Sequence, residues 1–141
     1  MISGHMGVAS AGVLAAELLV EACEAGDGLH LETVRGLAKD LGRRLRLQVG
    51  AGEIDPLVEA ALACADLATL ATCNVAALPD RCRPAAAAAT HLAAGAARAL
   101  AALGKARIGD PEDSYAGNAL RDLRSAGWRA DLAVRQLGGA A

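Results

Sequence analysis

The side chains able to do chemistry are few and scattered. Four cysteines stand at Cys23, Cys64, Cys73 and Cys82, and no two form a C-x-x-C pair, the spacing that metal and redox sites favour. The last three are nine residues apart, half a turn out of phase on a helix. They read as buried free thiols. His91 follows Thr90 in the middle of an alanine-rich run, with no Glu three residues before it, and Glu32 comes after His30 rather than before it. The Glu-x-x-His pairs of di-metal bundles are therefore missing, and no metal or cofactor is expected. His91 reads as a hydrogen-bonded or exposed histidine rather than a catalytic one. Arg43, Arg44 and Arg46 end a helical run, where they complement the negative helix end; an anion-binding patch is the other reading. Glu53 and Glu59 lie near the positive end of the third helical run, and Asp66, the only charge in its interior, reads as solvent-facing. Phosphate loops, dinucleotide fingerprints and zinc-protease helices have no counterpart here.

These residues are carried by helices. The chain has 141 residues, a length suited to one domain with one core. Residues 1–5 read as a cloning remnant before a start at Met6, and residues 6–141 as a single domain. The chain is 54% hydrophobic, with no Phe, one Tyr and one Trp. Alanine supplies most of that figure and is the best helix former, whereas strands favour β-branched and aromatic residues. The expectation is an all-α antiparallel up-and-down bundle of about five helices. Helices of Ala and Leu come close together but bury little apolar area each, so a homodimer is expected.

Start and stop signals place the helices near residues 10–25, 31–49, 55–77, 84–103 and 110–137. Ser10 caps the first, and Gly26 takes a left-handed C-cap. The breaker Gly50-Ala51-Gly52 ends the second. Asp55-Pro56 and Asp110-Pro111 open the third and fifth. Gly104 ends the fourth, and residues 105–109 form a polar connector. The predicted buried stripes are Leu14, Leu18 and Ala22 with the neighbouring Val13, Ala16, Val20 and Cys23, a face broad enough for burial on more than one side; Leu31, Val34, Ala38, Leu41 and Leu45; Leu92, Ala96, Ala99 and Leu103; and Leu123, Ala126, Ala130, Val134 and Leu137. Gly95 reads as a point of close approach, and Gly117 and Gly127 as mild helix costs or as close-contact points. Trp128 lies off its stripe, near Arg124, Asp131 and Arg135. It reads as an interface anchor, or else as packed beneath the residue 105–109 connector.

The net charge of −2 opposes general binding to nucleic acid or anionic membrane. Residues 84–103 form the one run of membrane-spanning length, and they read as a soluble helix because alanine, not leucine or isoleucine, dominates. With no basic-then-apolar leader, a cytoplasmic location is expected.

Between the third and fourth helices lies the break Asn74-Val75-Ala76-Ala77-Leu78-Pro79-Asp80-Arg81-Cys82-Arg83-Pro84. Pro79 disfavours helix at Leu78, Asp80 can cap the next turn, and Pro84 suits a first turn. Residues 56–103, with Pro56 opening a helix, Asn74 starting a turn, Pro79-Asp80 closing it and an alanine-rich helix after it, resemble the core of the formiminotetrahydrofolate cyclodeaminase and methenyltetrahydrofolate cyclohydrolase family. That family is all-helical and dimeric, and its turn closes with Ser-Asp. The family's Thr-Pro-Gly-Gly-Gly-Ser-like opening has no match in residues 6–12, and the second Asn of the turn is absent.

The resemblance implies action on a one-carbon tetrahydrofolate derivative, or descent from such an enzyme. Asp80 would then orient or deprotonate the water that attacks an amidinium-like methenyl bridge. Asn74, Arg81 and Arg83 would bind substrate, the arginines taking the glutamate tail, with Arg43, Arg44 and Arg46 as an alternative source of cations. The other reading is a non-catalytic helical interaction or ligand-binding module, with Asp80 a helix cap.

Overall fold

The computed structural model describes residues 4–48, 54–110 and 113–139. Five helices follow in order: α1 (Gly4–Glu24), α2 (Leu29–Gln48), α3 (Ile54–Asn74), α4 (Arg83–Ile108) and α5 (Ser114–Gly139). Two short 3-10 turns, Val75–Ala77 and Asp80–Cys82, join α3 to α4. No strand occurs among the described residues. The all-α bundle predicted from composition is the observed fold.

Side-chain pairs give the directions. Glu24 meets Arg35 at 3.3 Å and Glu17 meets Arg46 at 2.7 Å, so α1 and α2 run antiparallel. His30 meets Asn74, at opposite ends of α2 and α3. Arg98 meets Asp131 at 3.0 Å while Leu123 lies against Gly104, so α4 and α5 are also antiparallel. The first four helices form a ring in which α4 closes on α1, and α5 lies in the outer groove between α3 and α4.

The core is built from small side chains. Each helix adds one fully buried leucine, namely Leu19, Leu45, Leu67, Leu100 and Leu123, and alanine fills most of the rest. With so little volume, glycine decides where helices touch. A Cβ built at Gly12 would stand 2.7 Å from Cys64 Sγ, and one at Gly104 would stand 2.6 Å from Leu123 Cδ1. Both distances are below van der Waals contact, so only glycine fits without displacement. Gly95 faces open space instead, contrary to the close approach predicted there; Gly117 and Gly127 do so too, which leaves them as mild helix costs rather than contact points within the chain.

The helix ends differ from their sequence signals in several places. α1 already includes residues before Ser10, so Ser10 is not its cap. The left-handed glycine is Gly28, with φ 115, rather than Gly26, whose missing Cβ makes way for Leu31. α4 continues through Gly104 and residues 105–108 to Gly109, where φ is 62. Gly104 is buried against Leu123, and that contact overrides its bias to stop a helix. α5 is capped by Asp113, whose Oδ1 accepts the Ala116 N–H at 2.7 Å. The predicted signals at Gly50-Ala51-Gly52 and Pro111 lie outside the described residues.

Two buried stripes also differ. In α1 Ala16, Ala22 and Cys23 of the predicted broad face are buried, but Leu14 is 48% exposed and Gly12, Ala15 and Leu19 are buried in addition. In α4 the buried set centres on Ala93, Ala97 and Leu100, with Leu103 exposed. In both helices the inward face is the one of small residues, which allows the closest axial approach. The α2 stripe is buried as predicted, and in α5 Leu123, Ala126 and Ala130 are buried. Of the cysteines, Cys73 is exposed and the other three are buried.

The segments Ile54–Ala77 and Asp80–Ile108 are each long and apolar enough to cross a membrane by length and composition. The first had no counterpart among the sequence expectations. Together they are the central pair of the bundle, packed on each other and flanked by the other helices.

Candidate functional site

The α3–α4 connection gathers the predicted site residues at one end of the bundle. Asn74, the last residue of α3, is only 5% exposed. Its Nδ2 donates to the Leu70 carbonyl at 2.7 Å, which fixes the amide orientation. Oδ1 therefore faces His30 Nε2 at 2.6 Å. An amide oxygen only accepts, so Nε2 carries the proton.

The two arginines bond to backbone. Arg83 Nε donates to the Leu78 carbonyl at 3.2 Å and Nη2 to the Ala76 carbonyl at 3.3 Å. Arg81 Nη2 reaches the Ala25 carbonyl at 3.2 Å, just past the end of α1. That is the negative end of a helix, where a cation is favoured. Asp80 is the first residue inside its 3-10 turn, whose cap position is Pro79, so it does not stand where its predicted cap would. Its side chain is 92% exposed and pairs with Arg83 Nη1 at 2.8 Å.

These contacts set what the end of the bundle can do. Arg81 and Arg83 satisfy carbonyls that the broken helices leave without partners. Asn74 and His30 tie the end of α3 to the start of α2. Asp80 stands in water beside its cation. A carboxylate so solvated has no apolar wall to hold a reacting water or a cationic substrate against it. Sequence reasoning did not include His30 in this group, because the 44 residues between it and Asn74 carry no local signal.

The other candidates spread over the surface. Arg44 pairs with Asp40 at 3.1 Å within α2, Arg46 pairs with Glu17 across to α1, and Arg43 lines a groove of about 430 Å³ between those helices. Two of the three arginines are thus already met by carboxylates, and Glu21 shares the groove with Arg43. Asp66 is exposed and pairs with Arg129 on α5. His91 is exposed, and Thr90 beside it is buried, its hydroxyl donating to the Ala86 carbonyl at 3.0 Å. Among the described residues no three His, Cys, Asp or Glu side chains gather as a metal site. Burial pushes the Cys64 thiol up to about 12. It also raises Cys23, with Arg35 pulling the other way.

A second groove, of about 450 Å³, runs between α4 and α5. Ala101 and Gly127 contribute small residues to it, and Arg98, Lys105, Arg124 and Asp131 supply charge. Trp128 lines it and is 61% exposed. The connector predicted as an alternative cover for Trp128 is the last turn of α4, and it leaves the indole open. No protein-family model matches the chain, and no curated protein matches it.

Proposed function

We propose that this chain is a non-catalytic helical interaction module that pairs with a second copy through the α4–α5 face. One observation carries the reading. The largest apolar side chain in a protein almost without aromatics stands 61% exposed beside a groove containing small residues. An exposed indole leaves a large apolar area in water, and tryptophan is enriched at interface centres. The donors at the α3–α4 connection support the same reading, since backbone carbonyls already occupy both arginines.

Sedimentation over a dilution series tests it. The wild type is expected to dimerise, and Trp128→Ala to weaken that association by about 2 kcal/mol, the loss typical of a buried anchor. A wild type that stays monomeric at high concentration, or a variant that dimerises equally well, would sink the proposal.

A folate-binding reading stands second, on the placement of Asp80, Arg81 and Arg83 together at one end of the bundle. It requires the arginines to exchange their carbonyl partners for a ligand carboxylate. Titration with 5-formyltetrahydrofolate, followed by Trp128 fluorescence and melting temperature, tests it. No shift at millimolar ligand would exclude folate binding.

A further inference from the structure

The α5 face around Trp128 is self-complementary. Arg124, Gly127, Trp128 and Asp131 all line the α4–α5 groove. Their spacing of three, four and seven residues puts them on one face of a helix. If α5 meets α5 of a second copy antiparallel, with the centre between residues 127 and 128, Arg124 falls opposite Asp131 and Trp128 falls opposite Gly127. The pattern then reads the same from either chain.

We propose that two copies pair in this register about a two-fold axis. Each Trp128 seats over the partner's Gly127, and each Arg124 meets the partner's Asp131. The proposal rests on the interaction-module reading above and gives it a geometry. A Cβ built at Gly127 meets nothing within 4 Å, so space above the glycine is open to a ring. Leu123 seated on Gly104 is the same arrangement inside one chain.

Charge singles out this register. Each copy brings Arg98, Lys105 and Arg124 to the face but only one carboxylate, Asp131. A parallel register sets Arg124 against Arg124 and Trp128 against Trp128, with no glycine opposite the ring. The antiparallel register places each carboxylate against a guanidinium. Asp131 Oδ1 already holds Arg98 at 3.0 Å, and a carboxylate has capacity for a second guanidinium. The contact is isologous, so it closes at two copies and does not propagate.

Charge exchange tests the register. Arg124→Asp sets two carboxylates face to face in the homodimer, and Asp131→Arg sets two guanidinium groups face to face. Each variant alone is expected to self-associate at least about tenfold more weakly than wild type. An equimolar mixture restores both pairs and is expected to form a one-to-one heterodimer near wild-type strength. Circular dichroism confirms that each variant stays helical. Gly127→Leu gives an independent arm should a charge variant misfold, because leucine favours helix and meets open space in the monomer. It is expected to keep the monomer folded while weakening the dimer. Trp128, the only tryptophan, should shift its emission to the blue as the mass doubles. If the wild type dimerises but the mixture is no stronger than its components, or Gly127→Leu dimerises like wild type, the register is wrong and the interaction reading survives. A wild type that never dimerises overturns both.

Discussion

α4 has a groove on each side of α5, and the two are in different states. The groove it forms with α3 is filled: α5 lays Leu123, Ala126, Ala130 and Ala133 into it, and all four are buried. The groove it forms with the outer side of α5 is open, with Trp128 at its edge. Both contain small residues. The filled one has a leucine for its glycine within the same chain, Leu123 on Gly104. The open one has a glycine, Gly127, and a large ring, Trp128, adjacent on the same helix, so neither can fill the other without a second copy. Helices this rich in alanine make grooves readily, and what decides their fate is where the few large side chains stand.

The strongest way to break this comparison is to empty the filled groove. Leu123→Ala removes the largest side chain α5 buries, and it should cost about 2 to 5 kcal/mol of stability, as buried leucine truncations do. Urea denaturation measures the loss. Gly104→Ala tests the same contact from the other side. Its Cβ would crowd Leu123, an overpacking cost of about 1 to 3 kcal/mol that the roughly 1 kcal/mol helix gain of alanine over glycine offsets in part. In the double variant the crowding is absent, so the two changes should not add. Additive losses would mean that Leu123 does not rest on Gly104.

The sealed contact at Gly12 adds a pH signature. Cys64 lies under Gly12 with its thiol raised from 9.0 to about 12 by burial. In the unfolded chain the thiol loses its proton as pH rises past 9.0, while in the folded chain it keeps it until about 12. Above the lower value the unfolded state binds fewer protons, so stability falls as pH rises. It is fully present below the unfolded value and declines by roughly 1.4 kcal/mol per pH unit across that window. Cys64→Ala should flatten this slope between about pH 9 and 10.5. An unchanged slope would mean that Cys64 titrates normally. Cys73, which is exposed, should react with a thiol reagent in the native protein while Cys64 does not.

These contrasts show what the sequence could reveal. Composition revealed the helical class, because a chain nearly free of aromatics and rich in alanine has no other way to build a core. The buried faces of α2 and α5 were legible because charged residues mark their outer sides. In α1 and α4 apolar residues lie on most sides, so periodicity does not single out the face that packing buries. Leu19 and Leu100 are buried while Leu14 and Leu103 are not. Gly104 was read as a stop signal because its partner, Leu123, is distant in the chain. At the α3–α4 connection the break was visible, but the carbonyls that Arg81 and Arg83 serve were not. A sequence shows which donors are present and not which acceptors the fold leaves without partners.

On the open side, Trp128→Ala carries a second expectation beyond weaker association. The indole contributes to a face of its own chain that stays wet, so unfolding free energy measured where the protein is monomeric should change by no more than about 0.5 kcal/mol. Leu123→Ala should do the reverse, with a large loss in the monomer. If Trp128→Ala destabilises the monomer as strongly as Leu123→Ala, the open groove is part of the core and the comparison collapses.

The smallest effect separates the grooves most cleanly. Each side of α5 has an ion pair, Arg129 with Asp66 of α3 and Arg98 of α4 with Asp131. All four side chains are partly exposed, so each pair should show a coupling of at most about 1 kcal/mol in a double-mutant cycle on the monomer. Dimerisation in the antiparallel register changes only one of them. It covers Asp131 and brings a second guanidinium to it, which reduces its screening by water, while Asp66 and Arg129 on the other side of α5 keep theirs. The Arg98–Asp131 coupling should therefore grow when the cycle is repeated at protein concentrations where the dimer dominates, and the Arg129–Asp66 coupling should not. Equal behaviour of the two pairs across concentration would place the contact between copies somewhere other than the Trp128 face.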